Sequence, residues 1–125
     1  METRWTLPVP STALLEGGAT LEKRLGHAVA LRFSYEAEGA TRRTGALVLQ
    51  GVEAFKWTYM GALDASMLEA YDRLVDRGSS PWLREVSANL TQKGRKAYGL
   101  VHLMITFDDG PCYEAVCRSF RVEDK

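Results

Sequence analysis

The chain has 125 residues, of which 46% are hydrophobic and 26% are charged. This composition is typical of one folded domain and not of a disordered segment. The 16 basic and 16 acidic residues balance, whereas nucleic-acid-binding domains usually carry a basic excess. No apolar run approaches the roughly 20 residues of a membrane span, and no signal peptide is visible. We therefore predict a single domain over residues 1–125 in the cytoplasm, with neither nucleic acid nor a membrane as its partner.

Residues 1–24 are the hardest part of the sequence to interpret. Trp5, Leu7 and Val9 alternate as in a strand, but Pro8 and Pro10 lack the backbone N–H that a central strand needs. We predict that this segment is an edge strand or an N-terminal arm.

From about residue 28 the apolar residues recur at every second position, which is the period of a β-strand. Val29 and Leu31 belong to a first strand. After a short hairpin loop, Leu49 and Leu47 are predicted to face them from the return strand. Gly51 then indicates a bulge or a bend.

A third strand is predicted around Phe55, Trp57 and Tyr59. These three aromatic residues share one face of that strand. Because large aromatic side chains dominate protein cores, we expect this face to be buried.

The middle of the chain changes to a period of about 3.6 residues, which indicates helices. Asp64 is a candidate N-cap for a helix that reaches about Arg77. Ser80 is a candidate N-cap for a second, shorter helix, with Pro81 at its first position and Trp82 on its apolar stripe.

Two strands are predicted to close the chain, over residues 100–107 and about 112–122. The first is almost wholly apolar, which is typical of a central strand. The element order βββααββ predicts an α+β fold, in which two short helices pack on one face of an antiparallel sheet of five to six strands.

The last hairpin carries the most informative candidate site. A four-residue loop would pair Phe107 with Cys112 and place His102 opposite Cys117. A cysteine and a histidine across a strand pair can share a proton and activate a thiolate. His102, Cys117 and Tyr113 are therefore candidate catalytic residues. The alternative is a small buried thiol beside a hydrogen-bonded histidine, since nothing in the sequence supplies an oxyanion hole.

The two cysteines are expected to be reduced and not bonded to each other. Cys112 and Cys117 are five residues apart on one predicted strand, so their side chains point to opposite faces. A disulfide between them would not fit a regular strand. Reduced thiols are typical of the cytoplasm.

Carboxylates in the same hairpin admit two interpretations. Asp108 and Asp109 could bind a ligand, or they could form the turn through their own backbone. Glu114 is expected on the opposite face from Tyr113. His27 and His102 lack the spacing of zinc ligands, so the sequence predicts neither a metal site nor a cofactor.

Three other side chains are candidates for binding. Arg95 and Lys96 lie in a basic loop that could take a phosphate or an acidic partner, or could simply be solvated. Trp82 could anchor a protein partner, because tryptophan is enriched at interface hot spots, or it could belong to the core.

The chain resembles a class of small uncharacterised bacterial proteins. The resemblance covers about residues 45–122 and is carried by a Ser-x-Trp-Leu stretch, with Ser80 and Trp82, and by the stretch Phe-Asp-Asp-Gly-x-Cys-Tyr-Glu that begins at Phe107. It implies a bacterial cytosolic origin and assigns no reaction. The size and character are also similar to those of immunity-type proteins that neutralise toxins.

Two functions are consistent with these observations. The first is a non-catalytic binding or interaction domain, immunity-like in character, that acts through a protein surface. The alternative is a small enzyme or ligand-binding domain that uses the face carrying His102, Cys117 and Tyr113.

Overall fold

The computed structural model of the protein describes residues 1–108 and 111–124. Within these residues nine strands form two antiparallel sheets. Sheet A contains, in spatial order, β1 (Glu2–Thr6), β6 (Arg73–Asp76), β7 (Val101–Thr106), β8 (Cys112–Cys117) and β5 (Ala54–Thr58). Sheet B contains β2 (Thr20–Arg24), β3 (Ala28–Glu36), β4 (Arg42–Gln50) and β9 (Ser119–Asp124). The two α-helices are α1 (Ala65–Leu68) and α2 (Pro81–Gln92).

The main core lies between the two sheets. Alternate residues of both sheets point into it, such as Leu31 and Leu47 from sheet B and Leu103 from sheet A. Leu103 is almost fully buried in β7, the middle strand of sheet A, so the prediction of a central strand there is confirmed. On the opposite face of sheet A, Val116 packs with residues of α2 and Met104 packs against Met67 of α1.

The predicted α+β architecture is wrong. The described residues are mostly β, with two antiparallel sheets and two α-helices, and not one sheet with two helices packed on it. Asp64 does cap a helix, since its Oδ1 accepts a hydrogen bond from the Met67 N–H at 2.9 Å. That helix ends at Leu68 and does not reach Arg77.

The backbone at Asp72 prevents a helix from continuing to Arg77. Asp72 has a φ of +61°, a left-handed conformation that interrupts a right-handed helix. After it, β6 pairs with both β1 and β7. Leu74 then faces the main core and Val75 the opposite face, so the segment predicted as one helix is divided between a helix and a strand.

The chain crosses between the sheets at two adjacent points. β4 passes into β5 at Gly51, and β8 passes into β9 at Arg118. Gly51 has a φ of +63°, and a Cβ at this position would lie 3.0 Å from Cγ of Arg118. The predicted bend at Gly51 is confirmed. The single predicted strand over residues 112–122 is wrong, because it divides into strands of different sheets.

The predicted aromatic core face of the third strand is also wrong. Phe55 packs against the main core, but Trp57 is 48% exposed and Tyr59 is 68% exposed. The reason is that β5 is an edge strand of sheet A, so its inward face opens to solvent beyond Phe55.

The N-terminal region contains two edge strands. β1 is an edge strand that pairs with β6 in sheet A, but it ends at Thr6, before Leu7 and Val9 of the predicted alternation. β2 was not predicted, because Leu21 is its only apolar residue. No helix among residues 1–108 and 111–124 is long and apolar enough to cross a membrane.

The outer face of sheet B carries ion pairs that connect its two edges. Arg24 of β2 donates to Glu22 at 3.0 Å and to both carboxylate oxygens of Glu123 of β9 at 3.0 Å. The strands between them carry the buried Ala30 and Val48 on this face. The positive charge of Arg24 is therefore compensated by Glu22 and Glu123 of the same sheet.

Candidate functional site

The last hairpin has a register that differs by one residue from the predicted one. His102 pairs with Val116, Val101 pairs with Cys117, and Cys112 pairs with Thr106 rather than with Phe107. Asp109, a candidate ligand, lies outside the described residues. His102 and Cys117 consequently point to opposite faces of sheet A, so they cannot share a proton.

Cys117 and Tyr113 belong to the main core, away from His102. Burial raises the pKa of the Cys117 thiol to about 12 and that of the Cys112 thiol to about 11. Burial also raises the pKa of Tyr113, whose ring packs against Phe107 and Phe55. Because reactive cysteines have lowered pKa values and some exposure, these groups have the properties of core residues. Both cysteines are free, and they lie in different clusters on opposite faces of β8.

His102 instead belongs to a buried hydrogen-bonded chain with Ser80 and Glu114. Its Nδ1 lies 2.7 Å from Ser80 Oγ, and its Nε2 lies 2.8 Å from Glu114 Oε1. The three residues are 2%, 7% and 2% exposed, respectively. A carboxylate only accepts, so the Nε2–H of His102 donates to Glu114. With this tautomer of the imidazole, Nδ1 is the acceptor for the hydroxyl proton of Ser80.

This chain has the connectivity of a Ser–His–acid triad, in which the imidazole accepts from the nucleophile and donates to the carboxylate. Its serine, however, is engaged in folding. Ser80 Oγ accepts a hydrogen bond from the Leu83 N–H at 3.1 Å and thereby caps α2, which confirms the predicted cap. A nucleophilic serine needs an open approach for its substrate, and Ser80 is closed off by burial. We interpret the hydrogen-bonded side chains of Ser80, His102 and Glu114 as a structural link between α2 and sheet A.

Trp82 and Lys56 cover this link. The Trp82 ring meets the His102 ring edge-on with centroids 5.0 Å apart. The Lys56 ammonium lies 4.2 Å from the centre of the Trp82 ring and 3.9 Å from Glu114 Oε2. Glu114 Oε2 has no hydrogen-bond partner among the described residues, so the ammonium provides the nearest charge compensation.

The remaining candidates do not converge on one site. Asp108 accepts a hydrogen bond from the Tyr71 hydroxyl at 2.6 Å, and its backbone N–H donates to Ser11 Oγ at 2.7 Å. It therefore fastens the N-terminal segment to the end of β7. Arg95 and Lys96 are exposed on the loop after α2, where the Lys96 carbonyl accepts from Arg118 at 3.1 Å. Within the described residues no group of three metal-ligating side chains comes together.

A concave, mainly apolar site lies elsewhere, between the exposed edges of β2 and β5. A cleft of about 530 Å³ opens there, with mainly apolar walls. We call it the β2–β5 cleft and define it by its lining residues: Leu21, Lys23, Arg24, Leu25, Gly26, His27, Ala28, Val29, Val52 and Phe55.

The β2–β3 hairpin forms one wall of the cleft and has a fixed shape. Gly26 and His27 both have positive φ angles, of 79° and 56°, in the three-residue loop between the paired Arg24 and Ala28. The His27 carbonyl accepts a hydrogen bond from the Val52 N–H at 2.8 Å, which ties the loop to the opposite wall. This loop presents Leu25 with 99% of its surface exposed.

The opposite wall is aromatic. The Phe55 ring lies on it, and the half-exposed Trp57 ring is centred 6.2 Å from that of Phe55. The site is marked by the exposure of apolar residues such as Leu21 and Leu25, which no local sequence pattern indicated. That exposure becomes visible only once β2 is recognised as an edge strand.

The chain matches none of the protein-family models, curated proteins or solved structures with which it was compared. Its function is therefore inferred from its own residues.

Proposed function

We propose that this protein is a non-catalytic binding domain whose β2–β5 cleft holds a small apolar ligand. The observation that carries the proposal is the cleft itself, a concavity of about 530 Å³ with mainly apolar walls. This volume lies in the range of roughly 300–1,000 Å³ that is typical of small-molecule sites.

Burial of apolar surface supplies the driving force for this binding. Leu21, Leu25 and Phe55 line the cleft, and the two leucines are exposed. Each buried methylene contributes about 0.8 kcal/mol of transfer free energy, so a ligand that covers these side chains gains affinity from them. The hydrogen bond from Val52 to His27 holds the two walls together before the ligand arrives, which reduces the entropy that binding would otherwise cost.

The cleft supports this function better than the chain of Ser80, His102 and Glu114 supports catalysis. The three polar residues are buried under Trp82 and are hydrogen-bonded to one another, whereas the cleft is open and apolar. The proposal keeps the expected non-catalytic binding domain, but its partner is a small ligand rather than a protein. It does not use the face of His102, Cys117 and Tyr113 that was expected for a small enzyme or ligand-binding domain. A protein partner that inserts an apolar side chain into the cleft would be a different occupant, and the experiment below distinguishes it.

Replacing Leu21 with glutamine is expected to weaken binding of a small apolar probe by about tenfold, because a polar amide replaces a leucine that lines the cleft. The probe is N-phenyl-1-naphthylamine, which is uncharged and fluoresces in apolar sites. We expect saturable binding to the wild-type protein with one probe per chain.

The matched control is Leu68→Gln, which changes another exposed leucine, on α1 and away from the cleft. This variant should bind the probe as the wild type does. Thermal melts of both variants establish that each one is folded. Absence of saturable binding to the wild type would refute the small-ligand proposal and favour a protein partner. Equal affinity of all three proteins would mean that the probe binds outside the cleft, and this result would also refute the proposal.

A further inference from the structure

The charged side chains at the β2–β5 cleft are basic. Its lining includes Lys23, Arg24 and His27 but no acidic residue among those described. Arg24 is on the outer face of sheet B and is paired with Glu22 and Glu123. The cationic group left for a ligand is therefore Lys23, with the exposed imidazole of His27 as a neighbouring hydrogen-bond donor.

Lys23 points to the same side of sheet B as the main core. It pairs with Val29, and Leu21 pairs with Leu31, which is completely buried in that core. Because side chains alternate along a strand, Leu21 and Lys23 share the inward face of β2, while Glu22 and Arg24 share the outer face. An ammonium group is thus placed at the mouth of an apolar cleft.

Lys23 takes part in none of the ion pairs formed by the described residues. Other basic residues of sheet B do have acidic partners, such as Arg32 with Glu22 and Arg43 with Asp124. A cation without an acidic partner beside apolar walls is complementary to a molecule that has an apolar body and an anionic end.

Resting on the function proposed above, we infer that the ligand of the β2–β5 cleft is an amphipathic anion, with an alkyl chain along Val29, Val52 and Phe55 and a carboxylate or phosphate beside Lys23. The alkyl part takes its affinity from the apolar walls. The anionic end takes its specificity from the ammonium, since opposite charges attract most where little water separates them. A free fatty acid and a monoalkyl phosphate share this chemistry.

The test is displacement of bound N-phenyl-1-naphthylamine by three compounds that share a ten-carbon chain: decanoate, 1-decanol and decyltrimethylammonium. The two ions are used below their critical micelle concentrations and 1-decanol below its solubility limit. Monodecyl phosphate is added to distinguish the two sources of the anion. We expect decanoate or monodecyl phosphate to bind about fivefold more tightly than 1-decanol, the size of a partly exposed charge pair, and the cation to bind most weakly. The preference should shrink at 1 M salt, where the Debye length is about 3 Å.

The variant Lys23→Gln should lose the preference for the anion and retain the affinity for 1-decanol, while Lys93→Gln, at the exposed end of α2, should change neither. Equal binding of all three compounds to the wild type would overturn the inference about the anionic end. It would still support the proposal that the cleft binds a small apolar ligand. Failure of every compound and of the probe itself would overturn the cleft as well. Lys23 could instead prevent edge-to-edge pairing of β2 between molecules. Self-association of Lys23→Gln on size-exclusion chromatography, with an unchanged preference for the anion, would show that role and overturn the inference.

Discussion

Replacing His102 with leucine is expected to lower the free energy of unfolding by about 3–5 kcal/mol, the cost of removing one member of a buried polar pair. Glu114 is almost completely buried and accepts its hydrogen bond from His102 Nε2. Its other oxygen has no hydrogen-bond partner among the described residues, and the Lys56 ammonium is 3.9 Å away. The substitution would leave a buried carboxyl group with neither oxygen hydrogen-bonded, and it would also remove the partner of the Ser80 hydroxyl.

The control is the double variant His102→Leu with Glu114→Leu. Replacing both partners of a buried polar pair with apolar residues is often neutral, so we expect this variant to recover most of the lost stability. Urea denaturation of the wild type, the single variant and the double variant gives the three free energies. A loss of unfolding free energy below about 1 kcal/mol for His102→Leu would mean that His102 and Glu114 are in contact with water, and it would contradict their burial.

Replacing Trp82 with alanine is expected to lower the free energy of unfolding by about 3 kcal/mol, at the lower end of the range for buried tryptophan. The ring is partly buried and packs with the hydrophobic cluster under α2, which includes Leu90 and Val116. It also meets the His102 ring edge-on and lies beneath the Lys56 ammonium. These contacts make Trp82 part of the link between α2 and sheet A, rather than an anchor that awaits a partner.

Trp57→Ala is the matched control, since it also removes a tryptophan side chain, here from β5, an edge strand of sheet A. Trp57 is half exposed, so we expect a loss below about 1 kcal/mol. Denaturant melts followed by far-ultraviolet circular dichroism compare the two variants without depending on tryptophan fluorescence. A Trp82→Ala protein as stable as Trp57→Ala would contradict the structural role and return Trp82 to the candidates for a binding surface.

The elements that could be predicted from the sequence are those in which local pattern and tertiary structure agree. The β3–β4 hairpin is one of them: Val29 faces Leu49 and Leu31 faces Leu47, as predicted. The cap of α2 at Ser80 is another, because an N-cap followed by proline is a local signal. Neither feature depends on distant parts of the chain.

The elements that could not be predicted depend on distant pairing. Leu74 and Val75 continue the apolar spacing of α1, yet they form β6 because β1 and β7 flank them. The strand that begins at Cys112 changes sheets at Arg118, a position with no turn residue to indicate it. Because of these two differences, the structure has two sheets instead of the predicted single sheet with helices on one face.

The candidate site was misjudged for a related reason. A shift of one residue in strand register changes which residues face each other, and that shift in the last hairpin removed Cys117 from the side of His102. The β2–β5 cleft could not have been found from local patterns, because its walls are residues 21–29 and residues 52–55, which come together only through the packing of two sheets.

The central claim is that the β2–β5 cleft binds a small apolar ligand, and a titration followed by two-dimensional amide NMR tests it most directly. Addition of N-phenyl-1-naphthylamine to the ¹⁵N-labelled protein is predicted to shift the amide signals of Leu21, Val29 and Val52, which line the cleft. The signals of His102 and Glu114, on the far face of sheet A, should stay unchanged. Shifts confined to His102 and Glu114, or no shifts at saturating probe, would contradict the account.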